Sequence, residues 1–327
     1  MEKRNIAAAI VAAIVLLASG SFATAFAQNY PARPIHVVVG FAPGGSADVV
    51  PRVIAEELSK RLGQPIIIDN KPGAGGQISV AAVLNAPADG YTLLSGALGA
   101  IAINPSVYKE LAYDPVKDLV PIAFVGQVPM VILVQRAGPA SVQDLITDSK
   151  NKPGKLNYGH SGVGTAMHLT AETFKSATGA DLTSVAFKAG PEVTAALMGG
   201  FLDAVCVDAN TALTALRTGK VKAIVVSSQE RSPMLPDVPT MAESGYANFE
   251  PMLGWYGFLA RAGTPSAIVN KLAKEIELVL QVPAVRERIL ATGAEPRYLP
   301  PAQFGLFVKA EIAKWGRAVR ESGVQAK

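Results

Sequence analysis

The run Ile35-His36-Val37-Val38-Val39 breaks at Gly40-Phe41-Ala42-Pro43-Gly44-Gly45 and resumes at Ser46-Ala47-Asp48 in a helical pattern. No other stretch constrains the chain as much. Five residues rich in Val and Ile suit a buried strand, and a strand that ends in a glycine-rich turn and feeds a helix opens an α/β sheet. Val50, Val53, Ile54, Leu58 and Leu62 follow at helical spacing. Asp48 is the expected N-cap, Pro51 falls in the first turn and Gly63 stops the helix. Unpaired amides and the positive end of the helix dipole make such a junction attractive to an anion. It serves equally as the plain opening turn of an α/β domain, and on these residues alone both readings stand.

The device recurs along the chain. A second strand is expected over 65–68, then the glycine-rich Asp69-Asn70-Lys71-Pro72-Gly73-Ala74-Gly75-Gly76, a helix over 77–86 and a strand over 91–94. Right-handed crossovers turn this β-α-β-α-β run into a doubly wound sheet, whose ligands sit beyond the carboxyl ends of the strands where the winding reverses. With strand order 2-1-3, the first loop faces Ser95-Gly96-Ala97, read here as a second small-residue turn. Residues 121–134 are apolar with little punctuation, and their two runs read as strands passing between lobes. A second set of units follows: a helix over 141–150, a strand over 156–158, the loop Gly159-His160-Ser161-Gly162-Val163-Gly164-Thr165 and a helix ending near Gly179. Strands over 183–187, 203–207 and 222–226 alternate with helices over 192–198 and 211–216. A strand over 255–259 and amphipathic helices over 265–280 and within 301–322 need a sheet to cover. They return to the first lobe, which becomes discontinuous.

With 327 residues, half of them hydrophobic and 17% charged, the chain has material for two lobes and is no candidate for disorder. Lys3 and Arg4 precede an apolar stretch over 6–18 and the small-x-small Ala25-Phe26-Ala27. This is the pattern of a secretory signal peptide cleaved after Ala27, too short to span a bilayer. The only cysteine, Cys206, is far from that cut, so no lipoprotein is expected, nor a disulfide. Cys206 lies among valines and is expected in a buried strand. A net charge of +4, carried by scattered basic residues, gives no case for nucleic acid.

Enzyme signatures fail one by one. Gly159-His160-Ser161-Gly162-Val163 resembles a nucleophile elbow until its last position, where the pattern needs glycine. Neither a P-loop nor a dinucleotide fingerprint occurs. His36, His160 and His168 lack ligand spacing, so no metal is expected. His36 is expected to be a satisfied structural residue, and His168 to support the second loop rather than touch ligand. What remains is Ser46, Asp48, Ser95, Ser161, Thr165, Lys188 and Asp208, polar groups directed toward one cleft. They form a binding site without a catalyst, although Lys188 and Asp208 also read as a plain salt bridge between neighbouring strands.

The chain from Tyr30 onward resembles the Bug family, the TctC-like solute-binding receptors of tripartite tricarboxylate transporters. The likeness runs in order through Phe41-Ala42-Pro43-Gly44-Gly45, Asn70-Lys71-Pro72-Gly73-Ala74-Gly75-Gly76, Asp89-Gly90-Tyr91-Thr92-Leu93-Leu94, Ala102-Ile103-Asn104-Pro105, Tyr113-Asp114-Pro115, Lys152-Pro153-Gly154-Lys155-Leu156-Asn157-Tyr158, Leu235-Pro236-Asp237-Val238-Pro239-Thr240 and Trp255-Tyr256-Gly257. The resemblance implies an α/β, two-lobed periplasmic binding protein of the Venus-flytrap type II class, each lobe a doubly wound sheet. Lobe 1 is expected over 28–128 and 253–327 and lobe 2 over 129–252, after a leader over 1–27. It implies a small organic carboxylate held largely by main-chain amides. The residues implied are Phe41, Pro43, Gly44, Gly45, Ser46, Asp48, Ser95, Gly96, Ala97, Ser161, Gly162, Val163, Thr165, Phe187, Lys188, Ala189 and Asp208. Many members carry Asn where this chain has Val163 and Tyr-Lys-Gly where it has Phe187-Lys188-Ala189, which points to a less polar or aromatic carboxylate. No cofactor or metal is implied, and the expected partners are membrane permease subunits, with the receptor itself monomeric. A ligand-dependent partner of a sensor kinase and a secreted hydrolase using Ser161 remain as alternatives.

Overall fold

Residues 30–324, apart from Gly45 and Lys188, are described by a computed structural model. The expected leader, its cleavage point, Gly45 and Lys188 lie outside the described residues.

Strand β1 (Ile35–Val39) has parallel neighbours on both sides, β2 (Ile66–Asn70) and β3 (Thr92–Ala97), joined by helices α1 (Ser46–Leu62) and α2 (Gln77–Leu84). The order β2-β1-β3 is the 2-1-3 winding expected. A parallel strand covered on both faces is apolar throughout, and Ile35, Val37, Val38 and Val39 are all buried. Past β3 the chain makes a π-helical turn, Gly99–Ile103, and the short helix α3 (Asn104–Val107).

The expected pair of strands over 121–134 is a single strand, β4 (Leu119–Gln135), because two register shifts absorb its Pro and Gly without ending it. The chain continues through α4 (Val142–Asn151), β5 (Asn157–His160), α5 (Ala166–Thr178), β6 (Thr183–Ala186), α6 (Gly190–Met198), β7 (Ala204–Asp208), α7 (Ala209–Leu216) and β8 (Val221–Val226). Here β5 lies between its parallel neighbours β6 and β7, the same winding as before. The last section holds β9 (Leu253–Arg261), α8 (Ser266–Leu280), α9 (Pro283–Leu290), β10 (Glu295–Leu299) and α10 (Pro301–Ser322). The sequence pattern missed α9 and β10, both short and each opened or interrupted by a proline.

Two sheets share β4. Along 119–129 it pairs with β9, with β10 on its other side over 124–127, and along 130–135 it lies between β8 and β7, every pairing antiparallel. The change of partners falls at Pro129 and Met130. There Ser227 ties the crossing segments together: its hydroxyl accepts from the Met130 amide (2.9 Å) and donates to the Met252 carbonyl (2.5 Å).

The helices cover the sheets as their apolar faces require. Val53, Ile54 and Leu58 of α1 meet Leu272 and Ile276 of α8 in one core, while Phe124, Trp255, Phe304 and Trp315 form another. In the latter, the buried Glu311 carboxylate accepts from Trp255 Nε1 (3.1 Å) and Trp315 Nε1 (2.9 Å) and is ion-paired with Lys314, which satisfies a charge that burial alone would penalise. Cys206 is buried in β7, and burial pushes its thiol pKa up.

Candidate functional site

The first wall's helix begins three residues earlier than the capping pattern indicates. Helix α1 starts at Ser46, so Asp48 is not the N-cap but a buried residue of the first turn. Its carboxylate accepts from the Gly44 amide (3.0 Å), Arg52 Nε (3.0 Å) and Asn70 Nδ2 (2.7 Å). Burial opposes its charge, yet the hydrogen bonds from Arg52, Asn70 and Gly44 outweigh that and hold the carboxyl below its usual range. Asn70 also donates to the Phe41 carbonyl (2.9 Å), so Asp48 and Asn70 together shape the loop. Gly44 has φ +104°, a conformation that disfavours any side chain. With the helix starting at Ser46, Pro51 lies past the first turn and removes the amide that would bond Ala47. Phe41 and Pro43 are exposed in this loop.

Ser95, Gly96 and Ala97 are strand rather than turn. Each pairs with β9, opposite Phe258, Gly257 and Tyr256 respectively, a partner from the far end of the chain that no local pattern reveals. A Cβ on Gly96 would collide with Leu259, so glycine is required there. Tyr256, opposite Ala97, is the site residue that sequence reasoning missed. Its hydroxyl lies 2.7 Å from Ser46 Oγ, and both residues are buried. Burial, with a further push from the charge of Asp208, raises the Tyr256 pKa despite the Ser46 hydrogen bond. Asp208 ends β7 in the other sheet, opposite Met130 where β4 changes partners. A tyrosine in an otherwise apolar strand was the available signal, since a buried hydroxyl needs a partner.

The second wall is the loop after β5. His160 and His168 are buried, with rings stacked 4.1 Å apart. His160 Nδ1 lies 2.9 Å from the Gly162 carbonyl and 3.2 Å from its amide, and Nε2 lies 2.9 Å from Ser184 Oγ. The Gly164 amide donates to His168 Nδ1 (3.2 Å), the supporting role expected for that residue. Burial, then the neighbouring His168, lowers the His160 pKa to about 4, and burial lowers that of His168. Thr165 caps α5 by accepting from the His168 amide and donates to the Gly162 carbonyl (2.8 Å). Ser161 donates to the Met167 sulfur (2.8 Å) rather than to a histidine, which leaves it without a base. Val163, between Gly162 at φ +120° and Gly164 at φ +79°, is 63% exposed. His36, as expected, is satisfied at 2.7 Å by Asp69.

Two further segments close the ring. The Phe187 amide donates to the His160 carbonyl (2.9 Å), which sets half-buried Phe187 beside the second loop, and Ala189 is exposed at the start of α6. Gly190 packs against Thr211, whose amide (3.0 Å) and hydroxyl (3.1 Å) both donate to Asp208, the cap of α7. The described partners of Asp208 are thus those of a helix cap. The two sections also meet outside the cleft: Gly164 lies against Val107 and Val324, and Gly293 lies so close to α7 that a Cβ would come within 2.7 Å of the Asn210 amide.

Chemically, the arrangement offers two helix starts and several hydroxyls. The amides of Gly44, Gly162 and Gly164 have acceptors within the protein, whereas the first-turn amides of α1 and α5 have none within their helices. Among the described residues no group of three or more His, Cys, Asp or Glu could hold a metal ion.

The sequence profile of the tripartite tricarboxylate transporter family receptor matches residues 50–324. The chain belongs to this family. Protein BugT of Bordetella pertussis is 37% identical over 97% of this chain and 98% of its own length. A solved R. palustris structure with adipate superimposes with TM-score 0.81 at 33% identity, covering 91% of this chain and all of that one. MatC from Rhodopseudomonas palustris with bound malate gives 0.75 at 35% identity, over 89% of this chain and all of that one. The periplasmic binding protein BugD gives 0.77 at 35%, over 91% and 100%. The tripartite tricarboxylate transporter receptors are periplasmic solute-binding proteins, not enzymes, and the two-lobed α/β fold is theirs. No helix among the described residues is long and apolar enough to cross a membrane.

Proposed function

We propose that the protein captures a small organic carboxylate in the periplasm and delivers it to the permease subunits of a tripartite tricarboxylate-type transporter, acting as a monomer after removal of its leader at Ala27. The observation that supports this reading is the repeated strand-loop-helix junction, after β1 and again after β5, with Ser46 of the first junction bonded to Tyr256 of β9. Adipate and malate in two related structures support a carboxylate as ligand. Residues 28–128 with 253–327 form one lobe and 129–252 the other, hinged where β4 changes partners. Because three glycine amides and the hydroxyls of Ser46, Ser161 and Thr165 have partners within the protein, the carboxylate is held chiefly by the first-turn amides of α1 and α5, and the hydroxyls join only by exchanging those partners for it. Lys188 and Ala189 contribute from the loop before α6.

A ligand that binds only the folded chain raises its stability, by roughly 2.7 kcal/mol at a hundredfold excess over Kd. A thermal-shift panel of mono-, di- and tricarboxylates is expected to contain at least one compound that raises the melting midpoint by several degrees. A panel in which only cationic or neutral solutes do so overturns the assignment.

A further inference from the structure

We infer that the cleft selects a monocarboxylate with an apolar, aromatic or branched body over dicarboxylates such as malate or adipate. The inference rests on the reading of this cleft as a carboxylate site and names the part of the ligand that the loops contact beyond its anionic head.

Large apolar side chains stand exposed on both loops. Phe41, 41% exposed, follows Gly40 in the first, and Val163, 63% exposed, sits at the centre of the second. Neither position is an accident of local disorder. The Phe41 carbonyl is fixed by Asn70, and Val163 lies between two glycines at positive φ. Half-buried Phe187 and Met167 continue the apolar surface inward from the second loop and pack onto the main core. Apolar surface of this kind gains only when another apolar surface covers it, at about 25 cal/mol per Å². A hydroxylated or doubly charged ligand brings bound water to the same place and gains nothing from it.

Charge argues in the same direction. Arg52, the cation nearest the first loop's carboxylate, is committed to Asp48 and Asn70. Asp208, an acid, ends β7 opposite Met130, where β4 passes from one sheet to the other. The helix starts accommodate one carboxylate at the mouth of the loops, and a second carboxylate carried deeper approaches the negative charge of Asp208. A neutral apolar ring or branched chain meets no such penalty.

Titration calorimetry on the mature chain with benzoate, phenylacetate, malate and adipate tests the inference. The expected result is an aromatic monocarboxylate binding about tenfold or more tighter than either dicarboxylate. In Phe41→Ser and Val163→Asn, checked by circular dichroism for an intact fold, that ratio is expected to shrink by about tenfold for each substitution. In Asp208→Asn, which keeps a capping side chain, dicarboxylate affinity is expected to rise. Dicarboxylates that bind as tightly as the aromatic acids, or more tightly with a dependence on Lys188 that Lys188→Met abolishes, overturn it and leave the carboxylate assignment standing. Failure of all four to bind, with some other class of solute binding instead, overturns both.

Discussion

Single residues at this cleft act mostly by holding other residues. Asp48 spends its carboxylate on Gly44, Arg52 and Asn70, and Tyr256 spends its hydroxyl on Ser46. Replacing Tyr256 with Phe keeps the ring that packs in the core and removes the partner of a buried serine hydroxyl. Urea unfolding is expected to show a loss of about 1 kcal/mol, the usual worth of one such bond. Ligand affinity is expected to fall as well, since Ser46 opens the helix whose amides we propose hold the carboxylate; an unchanged Kd would assign Tyr256 to stability alone. What was legible in the sequence at this scale was local. Gly44 and Gly162 announce loops because positive φ favours glycine whatever the surroundings. Tyr256 was not legible, because its partner lies some two hundred positions away. Asp48 was half legible: its polarity at a helix start was right, but a carboxylate three residues into the helix satisfies a loop amide as well as a cap does.

At the scale of elements, helix α5 and the loop before it stand on two neutral histidines. His160 titrates near 4 in the folded protein against an ordinary value of 6.5. Below about pH 6.5 the unfolded chain takes up a proton that folded His160 refuses, so the stability contributed by the neutral ring is complete above 6.5 and declines as the pH falls toward 4. Melting midpoints measured from pH 7 to pH 4 are expected to drop over that window. His160→Gln, which keeps a hydrogen-bonding side chain without the titration, is expected to flatten the curve, and an equally steep decline in the variant would place the loss elsewhere. Element boundaries followed sequence pattern where the pattern was local, as in α5 with its Thr165 cap and Gly179 stop. They departed from it where a distant strand decided the outcome. Ser95 to Ala97 is strand because β9 arrives to pair with it, and the apolar run from 119 to 135 is one strand because β9 pairs with it along 119–129 and β7 and β8 take over from 130.

For the whole molecule, winding order and the return of the C-terminal helices to the first sheet were readable from the alternation of strand and helix. The sharing of β4 was not, because nothing in one strand's composition says that its two ends belong to different sheets. That sharing bears on how the protein is made. In the first sheet, β3 has its second neighbour, and β4 its longest pairing, only once residues 253–261 are present. The chain is synthesised from the other end, so three-quarters of it emerges before the piece that joins the sheet's halves exists. Closing so long a loop is slow and brings its reward late. A chain ending at residue 252 is accordingly expected to leave the β9-facing amides of β3 and the amides of β4 before Pro129 unprotected in hydrogen exchange, whereas the full chain protects them; equal protection in both would disprove the dependence. For a member of a family of periplasmic receptors, a sheet that locks only with its last quarter is a built-in delay to folding.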